Sequence, residues 1–144
     1  MRELLAGIDS GTQSTKVLIV DARSGKVLAS AAQAYGLIPN LPPGAKEQHP
    51  HTWRDATAQA LRQSLKQAGA RRGELKAIGV SGQQHGFVPL DEKGEVIRPA
   101  KLWCDTTTAA ECAEMTASLG GLKAAIRAVG NAILPGYTAP KILW

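Results

Sequence analysis

Aromatic side chains are scarce in this sequence, where one Phe, two Tyr and three Trp amount to 4% of 144 residues. A surface that stacks single-stranded bases is built from such rings, so the shortage argues against one. Cysteine is equally sparse. Cys104 and Cys112 have no Cys or His partner at zinc-type spacing, which excludes a disulfide framework and a cysteine-based metal cage. No apolar run approaches the roughly 18 residues of a membrane span. The opening Met-Arg-Glu-Leu-Leu-Ala-Gly-Ile-Asp is too short in apolar residues and too soon acidic for an export signal. The expectation is a soluble chain in the cytoplasm. Lys and Arg exceed Asp and Glu by 17 to 12, a formal charge of +5, but the basic residues are scattered. Neither a nucleic acid nor a membrane is expected as a partner.

What is present is ordinary globular material, 44% hydrophobic and 20% charged, in a length suited to one compact domain. Leu4 to Ile8 and Lys16 to Asp21 are short apolar runs that predict buried strands around a turn at Gly11. Val27 to Tyr35 extends them, after the turn cluster Asp21 to Gly25, into a three-strand antiparallel meander. Pro39, Pro42, Pro43 and Gly44 predict a loop up to Pro50. Beyond it Trp53, Ala56, Ala60, Leu61, Leu65 and Ala68 recur at helical spacing, with Pro50 suited to the first turn and Gly69 to the end.

Leu75 to Ser81 predicts a further strand, and Phe87 to Ile97 a hairpin turning at Glu92-Lys93-Gly94. Thr108 with Glu111 fits a capping box for a helix, although Asp105 could cap instead. Gly120-Gly121 separates that helix from a shorter one near Lys123 to Val129. In Thr138-Ala139-Pro140-Lys141-Ile142-Leu143-Trp144 a cap-like Thr and a first-turn Pro predict the start of another helix without a stop signal. The expectation is that further polypeptide follows or is supplied separately.

The first chemical motif is Gly7-Ile8-Asp9-Ser10-Gly11-Thr12-Gln13-Ser14-Thr15-Lys16, placed between two strands. Walker and dinucleotide loops lead into a helix, whereas this turn leads into a strand, so neither applies. It offers a carboxylate at a strand end, a glycine that permits close approach, and amides and hydroxyls suited to phosphate oxygens. Asp and Gly chosen for turn chemistry alone would look the same in isolation.

With three further segments the chain resembles the FGGY carbohydrate kinases, and among them those acting on xylulose. The segments are Glu47-Gln48-His49-Pro50-His51-Thr52-Trp53, Gly79-Val80-Ser81-Gly82-Gln83-Gln84-His85-Gly86 and Leu102-Trp103-Cys104-Asp105, and Leu134 to Trp144 is similar to the segment before that family's next helix. The resemblance implies an α/β fold of the ribonuclease-H-like, actin-like ATPase type with a mixed sheet, in an incomplete amino-terminal domain lacking its last strand. Residues 1–144 would then be the amino-terminal, sugar-binding part of the kinase's first domain, with the carboxyl-terminal nucleotide domain absent.

The same resemblance implies ATP and Mg2+ as cofactors. Asp9 would be catalytic and organise the magnesium, while Gly11, Thr12 and Gln13 line the ATP phosphates and Lys16 assists. Gln84 and His85 would touch the sugar. Trp103 is either an apolar wall for the sugar or a core indole, and Asp105 either bonds sugar hydroxyls or caps a helix. The reaction implied is ATP-dependent phosphorylation of D-xylulose to D-xylulose 5-phosphate, with sugar, ATP and the remainder of the kinase chain as partners and a homodimer left open. Family members take their general base from a later Asp, so a fragment of this extent is expected to be inactive alone. The alternatives are a sugar- or nucleotide-binding module without turnover, a kinase for another ketose or polyol, and an actin-like assembly or chaperone domain.

Overall fold

A computed structural model describes residues 2–144. The elements follow in the order β1 (Leu4–Ser10), β2 (Ser14–Asp21), β3 (Val27–Ala34), β4 (Glu47–Gln48), α1 (Pro50–Gln67), β5 (Leu75–Gly82), β6 (Ala100–Lys101), α2 (Ala109–Ser118), α3 (Leu122–Val129) and α4 (Thr138–Leu143). They form two compact units, one from the segment ending at Leu37 with Pro50–Gln83, the other from Ile38–His49 with Gln84–Trp144. No described helix is long and apolar enough to cross a membrane.

The first unit is the expected meander with one helix and a fourth strand. Its sheet has the order β3-β2-β1-β5, antiparallel except for the β1–β5 pair, and is therefore mixed. Side chains alternate across a strand, and Leu4, Ala6 and Ile8 on β1 with Val17 and Ile19 on β2 form the buried face. α1 covers that face with Ala60 and the partly buried Leu61 and Leu65. Leu4 and Ile19 have no exposed surface, and burying a side chain of that size contributes about 1.5–3 kcal/mol. Ser64 of α1 adds a hydrogen bond from its hydroxyl to the Val17 carbonyl at 3.2 Å.

The apolar runs predicted buried strands. Only one face is covered in this unit: Leu5 and Leu18 are 38% and 39% exposed, because the single helix lies on the other side. β5 is an edge strand carrying the exposed Ile78 and Val80.

The second unit is organised by a short antiparallel ladder, Glu47↔Lys101 and Gln48↔Ala100. Its β4 strand lies inside the segment expected to be only a loop, since pairing begins once the prolines have passed. The hairpin expected over Phe87–Ile97 is reduced to an isolated Leu90↔Val96 bridge. Asp91 closes the turn, its side chain accepting the Lys93 and Glu95 amides at 2.8 Å each, while Pro89 and Pro99 deny the flanks two ladder donors.

The expected capping box is also absent. Thr108 stands at the cap position of α2, but its hydroxyl donates to the Pro135 carbonyl at 3.2 Å and makes no cap bond. α3 ends on Gly130 in the left-handed region, φ 76°, as a C-terminal glycine should. The cap of α4 is Tyr137, so Thr138 begins the helix instead of capping it.

Candidate functional site

Two groups of candidate residues are built separately, one in each unit. In the first, Asp9 is the penultimate residue of β1, hydrogen-bond register placing it between Lys16 of β2 and Ser81 of β5. It shares the parity of Leu5 and Gly7, so it projects from the face opposite α1, and Lys16 lies directly across on that same face. Both are exposed. Among the described residues no hydrogen bond or ion pair engages the Asp9 carboxylate.

The turn that follows is held from several directions. The Gly11 amide donates to the Ser14 carbonyl at 3.0 Å. The Gly11 carbonyl accepts the Tyr35 hydroxyl at 2.7 Å and the Gln83 side-chain amide at 3.2 Å. The Thr12 hydroxyl donates to Gln83 Oε1 at 3.1 Å, and the Tyr35 amide donates to the Gln13 carbonyl at 3.0 Å. Gly11, Thr12 and Gln13 are thus brought together beside Asp9 in a rigid loop.

Tyr35 and Gln83 were not among the expected site residues. Gln83 sits inside the Gly79–Gly86 segment, next to the pair that drew attention. Tyr35 directly follows the third strand and is one of only two tyrosines, a signal available but unused.

In the second unit His85 is exposed, and its backbone is in the left-handed region at φ 55°. A non-glycine residue there carries strain of about 1–3 kcal/mol, and such residues gather at functional positions. Its ring lies 4.8 Å from that of Tyr137, tilted by 47°. Both border an apolar cleft of about 450 Å3 with Met115, Leu119, Ile133 and Pro140. Gln84 is exposed beside His85. Trp103 is 51% exposed, so its indole is not enclosed in a core.

Asp105 is neither a wall residue nor a helix cap. It has no exposed surface, and its oxygens accept the Lys46 amide at 2.8 Å, the Thr107 amide at 3.0 Å and the Thr107 hydroxyl at 2.6 Å. Lys101 Nζ adds an ion pair at 3.4 Å. Burial pushes the Asp105 carboxyl up, but the Thr107 hydroxyl, the two amides and the Lys101 charge outweigh it and hold the group below its ordinary value. Lys101 also reaches Glu47 at 3.5 Å and lies 3.8 Å from the centre of the Trp144 ring. Asp105 therefore anchors the backbone on which Trp103 is displayed.

Among the described residues no group of three or more His, Cys, Asp or Glu side chains forms a metal cage. A single unengaged carboxylate fits only a cation that keeps most of its water, and one that shares its remaining positions with a ligand's oxygens. That combination suits phosphate chemistry at the first group, whereas in the second the His85 imidazole, which borders the apolar cleft, suits a small hydroxylated molecule.

Residues 4–144 match the FGGY family of carbohydrate kinases, N-terminal domain. The chain is 42% identical over 142 residues to a xylulose kinase of Haemophilus influenzae, covering 96% of this chain and 29% of that protein. Among solved structures it is similar to xylulose kinase from Rhodospirillum rubrum, at 27% identity and a TM-score of 0.86, covering 99% of this chain and 28% of the other. It is similar also to gluconate kinase from Lactobacillus acidophilus, at 25% identity and a TM-score of 0.86, covering 100% and 28%. The fold is that of the actin-like sugar kinases, represented by its amino-terminal part, and the chain spans less than a third of the length of these relatives.

Proposed function

The chain belongs to the FGGY family of carbohydrate kinases, and we propose that it supplies the amino-terminal part of an ATP-dependent kinase converting D-xylulose to D-xylulose 5-phosphate. Residues 1–144 are, in this reading, the sugar-binding part of the first domain, completed by polypeptide that the longer relatives possess. The observation that carries it is the unengaged Asp9 carboxylate at a strand end, beside a turn tied down by Tyr35 and Gln83.

Asp9 would hold Mg2+, and Gly11, Thr12 and Gln13 would border the ATP phosphates, Lys16 assisting by its charge. Bound magnesium supplies neutralisation of charge on the phosphate oxygens. His85 and Gln84 donate to and accept from sugar hydroxyls, and Trp103 covers an apolar edge of the sugar. Phosphoryl transfer asks mainly for alignment and charge stabilisation, which a rigid turn provides without a covalent intermediate. A base must still take the hydroxyl proton. Asp21 is committed to Arg23 and Ser24, Asp91 to Lys93 and Glu95, and Asp55 to Arg54, so the base belongs to the remainder of the kinase.

The likeness to gluconate kinase, as close in backbone as that to xylulose kinase, favours one further reading, a kinase of this family acting on another sugar. A coupled ADP-release assay separates the two, run on this chain and on any longer natural product with ATP, Mg2+ and D-xylulose, L-ribulose, glycerol or gluconate. Release with D-xylulose from the longer protein alone is expected. Release with gluconate instead transfers the assignment to that sugar, and no release with any of them rejects the kinase reading.

A further inference from the structure

Lys141, in α4, has no exposed surface, although lysine is among the residues least often enclosed. Among the described residues no carboxylate forms an ion pair with it. Its Nζ donates instead to two backbone carbonyls, His85 at 2.8 Å and Gly136 at 2.7 Å. Burial depresses its pKa, with nearby Asp105 opposing that shift, so enclosure of this amine works against its own charge. A group kept under those conditions is expected to do something that an apolar side chain of similar size cannot.

The two carbonyls say what that is. One belongs to the residue whose backbone is strained at φ 55°, and the other to the residue immediately before Tyr137, whose ring meets that of His85. A single ammonium thus clamps the chain on both sides of the His85–Tyr137 ring pair. The Gly136 peptide is further confined, since a Cβ there would stand 2.8 Å from the Trp103 carbonyl oxygen.

We propose that Lys141 is a positioning residue that holds the strained His85 turn and, through Gly136, the Tyr137 ring, fixing the imidazole in its sugar-contacting orientation. The part of this concerning the sugar rests on the kinase reading. The clamp itself does not.

The test therefore has two arms. In the 144-residue chain, imidazole 15N–1H spectra are compared for wild type, Lys141→Met and Lys141→Arg, with thermal unfolding followed alongside. The His85 resonances and their contacts to Tyr137 are expected to move in Lys141→Met while those of His49 and His51 stay in place, and Lys141→Arg is expected to restore most of the pattern. Unmoved His85 resonances overturn the clamp. Should Lys141→Met not fold, Lys141→Gln, which retains an amide donor for one carbonyl, is judged by the same criterion.

In the longer kinase, Lys141→Met is expected to raise the KM for D-xylulose by about tenfold to a hundredfold while the KM for ATP stays within about twofold. Placed on a His85→Ala background, the same substitution is expected to add almost nothing, because it acts through the imidazole. An additive effect, or an equal loss for ATP, reduces Lys141 to a general packing role and overturns the proposal. A wild-type protein without xylulose turnover rejects the kinase reading, and the spectra then decide the clamp alone.

Discussion

The Tyr35 hydroxyl donates to the Gly11 carbonyl at 2.7 Å while lying 3.0 Å from the Thr15 hydroxyl, so one phenol couples the turn to the strand that leaves it. Tyr35→Phe removes this link without removing the ring. A neutral hydrogen bond of this sort contributes about 1 kcal/mol, and Gln83 still holds the same carbonyl, so the fold is expected to survive with a lower urea midpoint. In the longer kinase the KM for ATP is expected to rise a few-fold with that for the sugar unchanged. A sugar-selective defect would show that the turn has been given the wrong ligand.

Asp9 is exposed, engaged with no neighbour among the described residues, and on the uncovered face of the sheet. Its value lies in charge, not packing. Asp9→Asn is expected to leave thermal stability within about 0.5 kcal/mol, as for other surface changes, while turnover in the longer protein falls by at least about a thousandfold. Steady-state ADP release measures the second and calorimetry the first. A fully active Asp9→Asn enzyme would remove Asp9 from the mechanism.

His85→Ala takes away the imidazole and its contact with Tyr137, a pair of the kind worth about 0.5–1.5 kcal/mol. The KM for D-xylulose is expected to rise by about tenfold or more, with nucleotide affinity retained. Isothermal titration with ADP and steady-state kinetics with the sugar check the two halves separately. Lost nucleotide binding with normal sugar use would exchange the roles of the two groups.

The first unit was legible because its signals are local. Short apolar runs, a turn containing Asp and Gly, and a helical repeat each report on their own neighbourhood, and β1, β2, β3, α1 and β5 lie close to where those patterns put them. The exposed outer face of β1 and β2 was not legible, since an apolar run does not say whether one layer or two will cover it. In the second unit the pattern misled at Thr108, where a carbonyl 27 positions away, on Pro135, takes the hydroxyl that a capping box would use. Asp105 failed as a wall residue for the same reason. Its partners on Lys46 and Lys101 come from separate strands and loops, and no spacing rule announces them. Nothing in the sequence singles out Lys141, whose carbonyl partners on His85 and Gly136 appear only in the fold.

Asp105 gives the chain a definite acid response. A carboxyl whose pKa is lower in the folded than in the unfolded protein stabilises the fold above its unfolded value, ordinarily 3.8, and the contribution disappears as pH falls through the lower folded value. Asp105→Asn removes the charge facing Lys101 and replaces an acceptor by a donor, so Lys46, Thr107 and Lys101 compete for one oxygen. Breaking a buried pair in this way is expected to cost about 3 kcal/mol or more near neutral pH. The deficit should shrink as pH falls through the lowered folded value, because the wild-type carboxyl then takes up its proton and its own advantage goes. Urea unfolding of both proteins from about pH 6 to about pH 2 measures the difference. Curves that stay parallel over that range would mean that Asp105 is held by shape and not by charge, and Lys101 would then owe its buried place to Glu47 and the Trp144 ring.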